Sequence, residues 1–181
     1  MTAPLHIRDV DGLKQRFPYM FTEPAINLEF YRGWFPYLVN LCIEIHWILE
    51  NERHRFNWVQ FKENSGGYEM HYNFRVSPNS GNSDLDGDRE PGDVDSETDE
   101  QKPLIELKNQ VDSVVQRYTV IFSKKCIVCS LPGTQTTGEQ VHTFCEFHTE
   151  DARRAEGDER SLHELTALPK WPGDDVGGTT P

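Results

Sequence analysis

The chain has 181 residues, enough for one domain with appendages, and contains no apolar run long enough to span a membrane. Its formal charge of −12 argues against broad contact with phosphate, yet the charge is not spread as a DNA mimic would need: residues 1–76 carry −1 and 104–148 carry 0, against −7 for 77–103 and −4 for 149–181. The acidity lies in the segments poorest in large apolar side chains, and the core expected between them is nearly neutral.

Residues 1–29 read as an N-terminal extension. The opening MTAPLHIRDVDGLKQRF lacks a basic start followed by an apolar stretch, so no secretory leader is read and a reducing, cytoplasmic setting is expected. From residue 30 the pattern sharpens, with Trp34, Tyr37, Leu38, Leu41, Cys42, Ile45, Ile48 and Leu49 recurring as on a helix with one buried face. Cys42 is expected to be a buried, inert thiol on that face. Residues 56–61 read as a strand, and Tyr68, Met70, Tyr72, Phe74 and Val76 alternate with Glu69, His71, Asn73 and Arg75. The Asn64-Ser65-Gly66-Gly67 stretch tolerates positive φ, so 30–76 is expected to form a helix and a β-hairpin with one wet face. His71 belongs to that wet face as a solvated histidine. Lys62 and Glu63 point to opposite faces of their strand, so one of them is expected in a structural salt bridge.

Residues 77–103 cannot bury enough surface to offset the entropy of ordering them, and read as an acidic disordered insertion. Asp84, Asp86 and Asp88 imitate the start of a calcium loop, but Arg89 stands at its sixth position and Asp95 at its twelfth, so a solvated linker is expected instead. Residues 104–150 combine a second helix with a metal module: Leu104, Leu107, Val111, Val114, Val115, Tyr118 and Ile121 or Phe122 mark one helical face. Residues 151–181 read as an acidic flexible tail with a short helix around 162–168, and Trp171 between prolines as either a docking peptide or a tail aromatic.

The module is the run CIVCSLPGTQTTGEQVHTFCEFH, in which Cys126 and Cys129 form C-x2-C, fifteen residues intervene, and Cys145 and His148 form C-x2-H. Three thiolates and one imidazole close a tetrahedral structural zinc site and leave no position for a catalytic water. Pro132 and Gly133 suit the sharp turn that aims backbone N–H groups at the sulfurs, and Lys124 and Lys125 partly offset the thiolate charge. His142 is a rival ligand, but an extended strand directs it away from Cys145. The fold class expected is α+β: a helix, β-hairpin and helix core followed by a zinc-ribbon or knuckle module.

Gly33-Trp34 before LVNLCIEI, the block QFKENSGGYEMHY, and CIVCSLPG with TFCEFH together resemble a family of small uncharacterised zinc-ribbon proteins of bacteriophages and bacteria. The matching positions are Gly33, Trp34, Leu41, Cys42, Gln60, Lys62, Glu63, Gly66, Gly67, Tyr72, Cys126, Cys129, Pro132, Gly133, Cys145 and His148, across about residues 30–150 apart from the insertion. Asn64, Ser65, Glu69 and Ser130 depart from the family pattern, the last replacing a knuckle glycine. The resemblance implies a fold, zinc and a bacterial or phage-infected host cell, and brings no activity with it.

The function expected is that of a non-enzymatic, zinc-stabilised interaction module binding a host or phage protein through the exposed hairpin face, with no catalytic residues and no membrane contact. The alternative is a nucleic-acid-binding ribbon using Arg117, Lys124 and Lys125, whose few cations give little counterion release. A zinc-dependent hydrolase, nuclease or deaminase is less favoured, because the H-x-E before P-C-x-x-C is missing and no carboxylate cluster replaces it.

Overall fold

A computed structural model describes residues 10–22, 26–28, 31–64, 67–76, 101–137, 141–155 and 166. The periodic run after Trp34 forms helix α2, Phe35–Leu49, with a proline in its first turn, where a missing N–H costs no helical bond. It follows helix α1, Val10–Arg16, and the two-residue strand β1, Asn27–Leu28. Leu38, Leu41, Cys42, Ile45 and Leu49 are all buried. The helix stops at Glu50, whose φ of 43° leaves the helical region. A 3-10 turn, Glu50–Arg55, then carries the chain into the sheet.

Strands β2, Phe56–Asn64, and β3, Gly67–Phe74, form the expected antiparallel hairpin, closing at the Asn64↔Gly67 pair. On β3 the alternation holds: Tyr68 is buried and Met70, Tyr72 and Phe74 half-buried, whereas Glu69, His71 and Asn73 are exposed. On β2 it breaks, because the register shifts between Trp58 and Gln60. Val59 is the extra residue of this bulge, so Phe56, Trp58 and Phe61 all reach the core although their spacing changes from two to three. β1 adds to the other side of β2 in parallel, with Asn27↔Gln60 and Leu28↔Phe61, giving the order β1-β2-β3.

Helix α3, Lys102–Ser123, buries Val111, Val114, Val115, Tyr118 and Phe122 and packs on both α2 and β3. Its outer contacts are polar: Arg117 pairs with Glu44 of α2, and the Tyr72 hydroxyl donates to Asp112, which also accepts from Lys108 at 2.8 Å. The centre of the core is aromatic, with Trp34, Tyr68 and Phe122 meeting pairwise at ring-centroid distances of 5.0, 4.9 and 5.6 Å. Such edge and tilted contacts add roughly 0.5–1.5 kcal/mol per pair beyond burial.

The 1–29 segment, read from sequence as an extension, supplies part of this core. Leu13 of α1, Phe17, and Met20 of the 3-10 turn Pro18–Phe21 are fully or almost fully buried. Asp84, Asp86, Asp88 and Trp171, together with residues 77–100, lie outside the described residues. Of the helix expected around 162–168, Thr166 is described; it is helical and buried. No helix among the described residues is long and apolar enough to cross a membrane.

Candidate metal centre

Two short strands, β4 Thr134–Gln135 and β5 Thr143–Phe144, pair antiparallel beyond the end of α3 and hold the module together. The first knuckle starts where α3 stops. Cys126 N donates to Leu131 O at 2.8 Å, Ser130 N to Cys126 O at 3.1 Å and Gly133 N to Lys124 O at 3.0 Å, folding the chain back after Cys129. Ile127 N donates to Thr143 O at 3.0 Å, which fastens this knuckle to β5. The second pair of ligands lies elsewhere than on a ribbon turn: Cys145 directly precedes helix α4, Glu146–Ala155, and His148 sits in the first turn of that helix. Three-residue spacing at a helix start returns the imidazole to the same side as the thiol.

Cys126, Cys129, Cys145 and His148 therefore converge, their ligand atoms all within 4.8 Å of one another. His148 Nδ1 is 3.2 Å from Cys145 Sγ and 3.6 Å from Cys126 Sγ, and the sulfurs of Cys129 and Cys145 are 3.5 Å apart. A tetrahedral ion with ordinary thiolate and imidazole bond lengths places such atoms about 3.6–3.8 Å apart, so the group fits a metal ion. All four cysteines are free, and the 3.5 Å gap between the two sulfurs is far longer than a disulfide bond. Burial raises both the Cys129 and the Cys145 thiol; at Cys145 the hydrogen bonds from Cys129, His148 and the His148 backbone outweigh it and lower the thiol pKa, whereas Cys129 stays raised. The Leu131 backbone N–H plays the matching part at Cys129. These N–H···S bonds are the ones a knuckle supplies to a bound metal.

Gly33 and Trp34 explain themselves here. Gly33 N donates to Ile127 O at 2.8 Å and the Trp34 indole donates to Lys125 O at 3.0 Å, so the start of α2 is bolted to the first knuckle. A Cβ on Gly33 would collide with Cys126 O and lie 2.7 Å from the Ile127 carbonyl carbon. Ser130 has a φ of 70°, and its hydroxyl donates to Gly33 O at 2.5 Å. The side chain thus compensates for a backbone conformation that glycine adopts more readily. Tyr37, Thr143 and Thr149 complete the support by donating to Ser130 O, Ser123 O and Cys145 O. Their sequence positions carry no motif, and only folding reveals the role.

The remaining candidates lie apart from this group. His142 has Nδ1 3.4 Å from the Tyr31 hydroxyl and packs edge-on to that ring, outside the ligand set. Cys42 is buried and its thiol is pushed up to about 12 by burial, against a smaller opposing effect of the Trp58 indole N–H. His71 is exposed beside Glu69 at 3.8 Å. Lys62 is exposed opposite Glu69 in the register; the side chain of Glu63 is outside the described residues. Of the cations considered for nucleic acid, Arg117 is paired with Glu44 and Lys125 stands over the Tyr37 ring, 5.2 Å from its centroid. An open cleft of about 330 Å³ beside the module is lined by Pro132, Gly133, Thr134, Phe144, Glu146 and Thr149, with a single carboxylate among them.

No protein-family model, curated protein or solved structure matches the chain.

Proposed function

We propose that Cys126, Cys129, Cys145 and His148 hold one structural zinc ion, and that the chain is a non-enzymatic interaction module binding a host or phage protein in the cytoplasm. The convergence of three sulfurs and one imidazole carries the reading. A thiolate-rich tetrahedral set favours zinc over hard cations, and four protein ligands leave no position for a reacting water. Zinc bound here ties the end of α3, β5 and the start of α4 to the Gly33-Trp34 turn. The neighbouring cleft offers one carboxylate, Glu146, and no paired acid and base.

The partner surface in this reading is the wet face of the hairpin, where Lys62, Glu69, His71, Asn73 and Arg75 are exposed. The resemblance to small zinc-ribbon proteins of phages and bacteria supports the same assignment. A ribbon-based nucleic-acid role has less support, since Arg117 and Lys125 are already engaged. Two measurements test the proposal: elemental analysis for one zinc per chain, and recovery of a protein from the native host by wild type but not by a Glu69→Ala/His71→Ala variant. Absence of zinc after expression in zinc-supplemented medium refutes the metal assignment. Recovery of nucleic acid with a steep salt dependence in place of a protein refutes the partner assignment.

A further inference from the structure

The far end of α2 carries a second group of chemistry-bearing side chains. His46 lies eleven residues beyond the start of the helix at Phe35, roughly 16 Å along its axis from the turn that braces the metal module. Four elements meet there. The Tyr19 hydroxyl is 3.1 Å from His46 Nδ1, and the Phe17 ring packs 5.3 Å from the imidazole. The Arg16 guanidinium stands over that Phe17 ring, 5.7 Å from its centroid. From the 3-10 turn after α2, Arg53 Nε donates to His46 O at 3.4 Å. Trp47 follows, its ring 6.0 Å from His46 and 69% of its surface exposed.

Two observations single this group out. Among the described residues neither Arg16 nor Arg53 meets a carboxylate, whereas neighbouring Arg55 is paired with Glu52 at 2.5 Å. Arg53 reaches His46 at its backbone carbonyl and Arg16 through the Phe17 ring packed on the imidazole, and after burial the two guanidiniums hold that imidazole below its ordinary pKa. An anion placed there would meet two cations and an imidazole able to become a third. The most exposed aromatic ring but one among the described residues, Trp47, borders the same point.

We propose that this end of α2 binds a nucleotide, free or as the end of a single strand, with its phosphate at Arg16, Arg53 and His46 and its base against Trp47. Guanidinium groups match phosphate oxygens in geometry as well as charge, and a bare indole offers a stacking face to any base. Two arginines suit one or two phosphates, and the acidity of the whole chain opposes a long polyanion. An acidic peptide would use the cations and leave the indole unexplained. A membrane surface calls for a larger basic cluster than two arginines. The site is separate from the metal module and stands or falls without it.

The test uses the full, metal-loaded chain and calorimetric titration with 5′-AMP, adenosine, inorganic phosphate and hexathymidylate. AMP is expected to bind more tightly than either adenosine or phosphate. Trp47→Ala should weaken AMP roughly tenfold through the lost stacking, and Arg16→Gln several-fold, while Lys108→Gln on α3 changes nothing. Both substituted side chains are exposed, so the variants should fold. The His46 ring-proton titration should move to higher pH on saturation with AMP, because phosphate offsets Arg16 and Arg53, the charged groups that with Tyr19 face the imidazole. Tighter binding of hexathymidylate than AMP assigns a strand end, and the reverse a mononucleotide; either result supports the site. Equal affinities for AMP, adenosine and phosphate, or AMP binding untouched by both Trp47→Ala and Arg16→Gln, overturn it.

Discussion

Replacing Gly33 by alanine adds one methyl group at the point where the helical core meets the metal module. That methyl would collide with Cys126 O and approach the Ile127 carbonyl carbon and oxygen to 2.7 and 2.8 Å, all of them backbone atoms that cannot rotate away. The 3-10 turn must therefore retreat from the knuckle. Overpacking of this kind costs about 1–3 kcal/mol. Retreat also lengthens the bond from Gly33 N to Ile127 O and the one from the Trp34 indole to Lys125 O, at about 1 kcal/mol each. The total is on the order of 3–5 kcal/mol, a large share of the 5–15 kcal/mol typical of a domain. For a chain of this size the melting midpoint should fall by about 10 °C. Because the displaced carbonyls belong to Cys126 and Ile127, the variant should also release its metal to a chelator faster than wild type. The assay is a melting curve beside a chelator competition followed with a metal-sensitive dye. A midpoint within about 2 °C of wild type, with unchanged metal release, would refute the claim that Gly33 is required by close approach to the knuckle.

Three further outcomes follow from the same geometry. Cys145→Ser should abolish stoichiometric zinc and lower stability far more than a surface substitution, because structural zinc contributes on the order of 10 kcal/mol of apparent binding free energy; retention of one zinc with an unchanged melt would contradict it. At Ser130, alanine should destabilise by about 1–2 kcal/mol because it keeps the positive φ and loses the hydrogen bond to Gly33 O, whereas glycine exchanges that bond for relief of the backbone and should stay within about 1 kcal/mol of wild type; urea melts that rank glycine below alanine would reverse the argument. At Asp112, burial opposes ionisation, but hydrogen bonds from Lys108 and Tyr72 outweigh it and hold the carboxyl below its ordinary value. A depressed native pKa stabilises above the unfolded value and loses that contribution as pH falls through the native one, so Asp112→Asn should be mildly destabilising near neutrality and lose its effect in acid. Since Asp112 is partly exposed, the neutral-pH cost should stay below about 1 kcal/mol; a cost that grows with acidification would exclude the mechanism.

What the sequence determined by itself is whatever depends on residue type at short spacing. Cys126, Cys129, Cys145 and His148 were legible because thiols and an imidazole in two pairs have few structural uses, and α2, α3 and β3 because their apolar residues repeat with the period of the element. Such patterns define a face without defining what covers it. Leu13, Phe17 and Met20 stand four and three residues apart, but Pro18 ends the helical period between them, so their place in the core depends on α2 and β2 being there to receive them. The bulge at Val59 is set by pairing with β3, and β1 joins β2 across about thirty residues of chain. Gly33 and Trp34 form a recognisable pair in sequence, yet the reason for the pair lies more than ninety residues away at Cys126 and Ile127. His148 was read as a candidate ligand without the helix that carries it, and Arg16, His46 and Arg53 belong to separate elements with no common motif. Local periodicity is encoded by neighbours in the chain. Which faces meet, and which charges are gathered where they meet, is decided by long-range packing, and only the tertiary structure contains it.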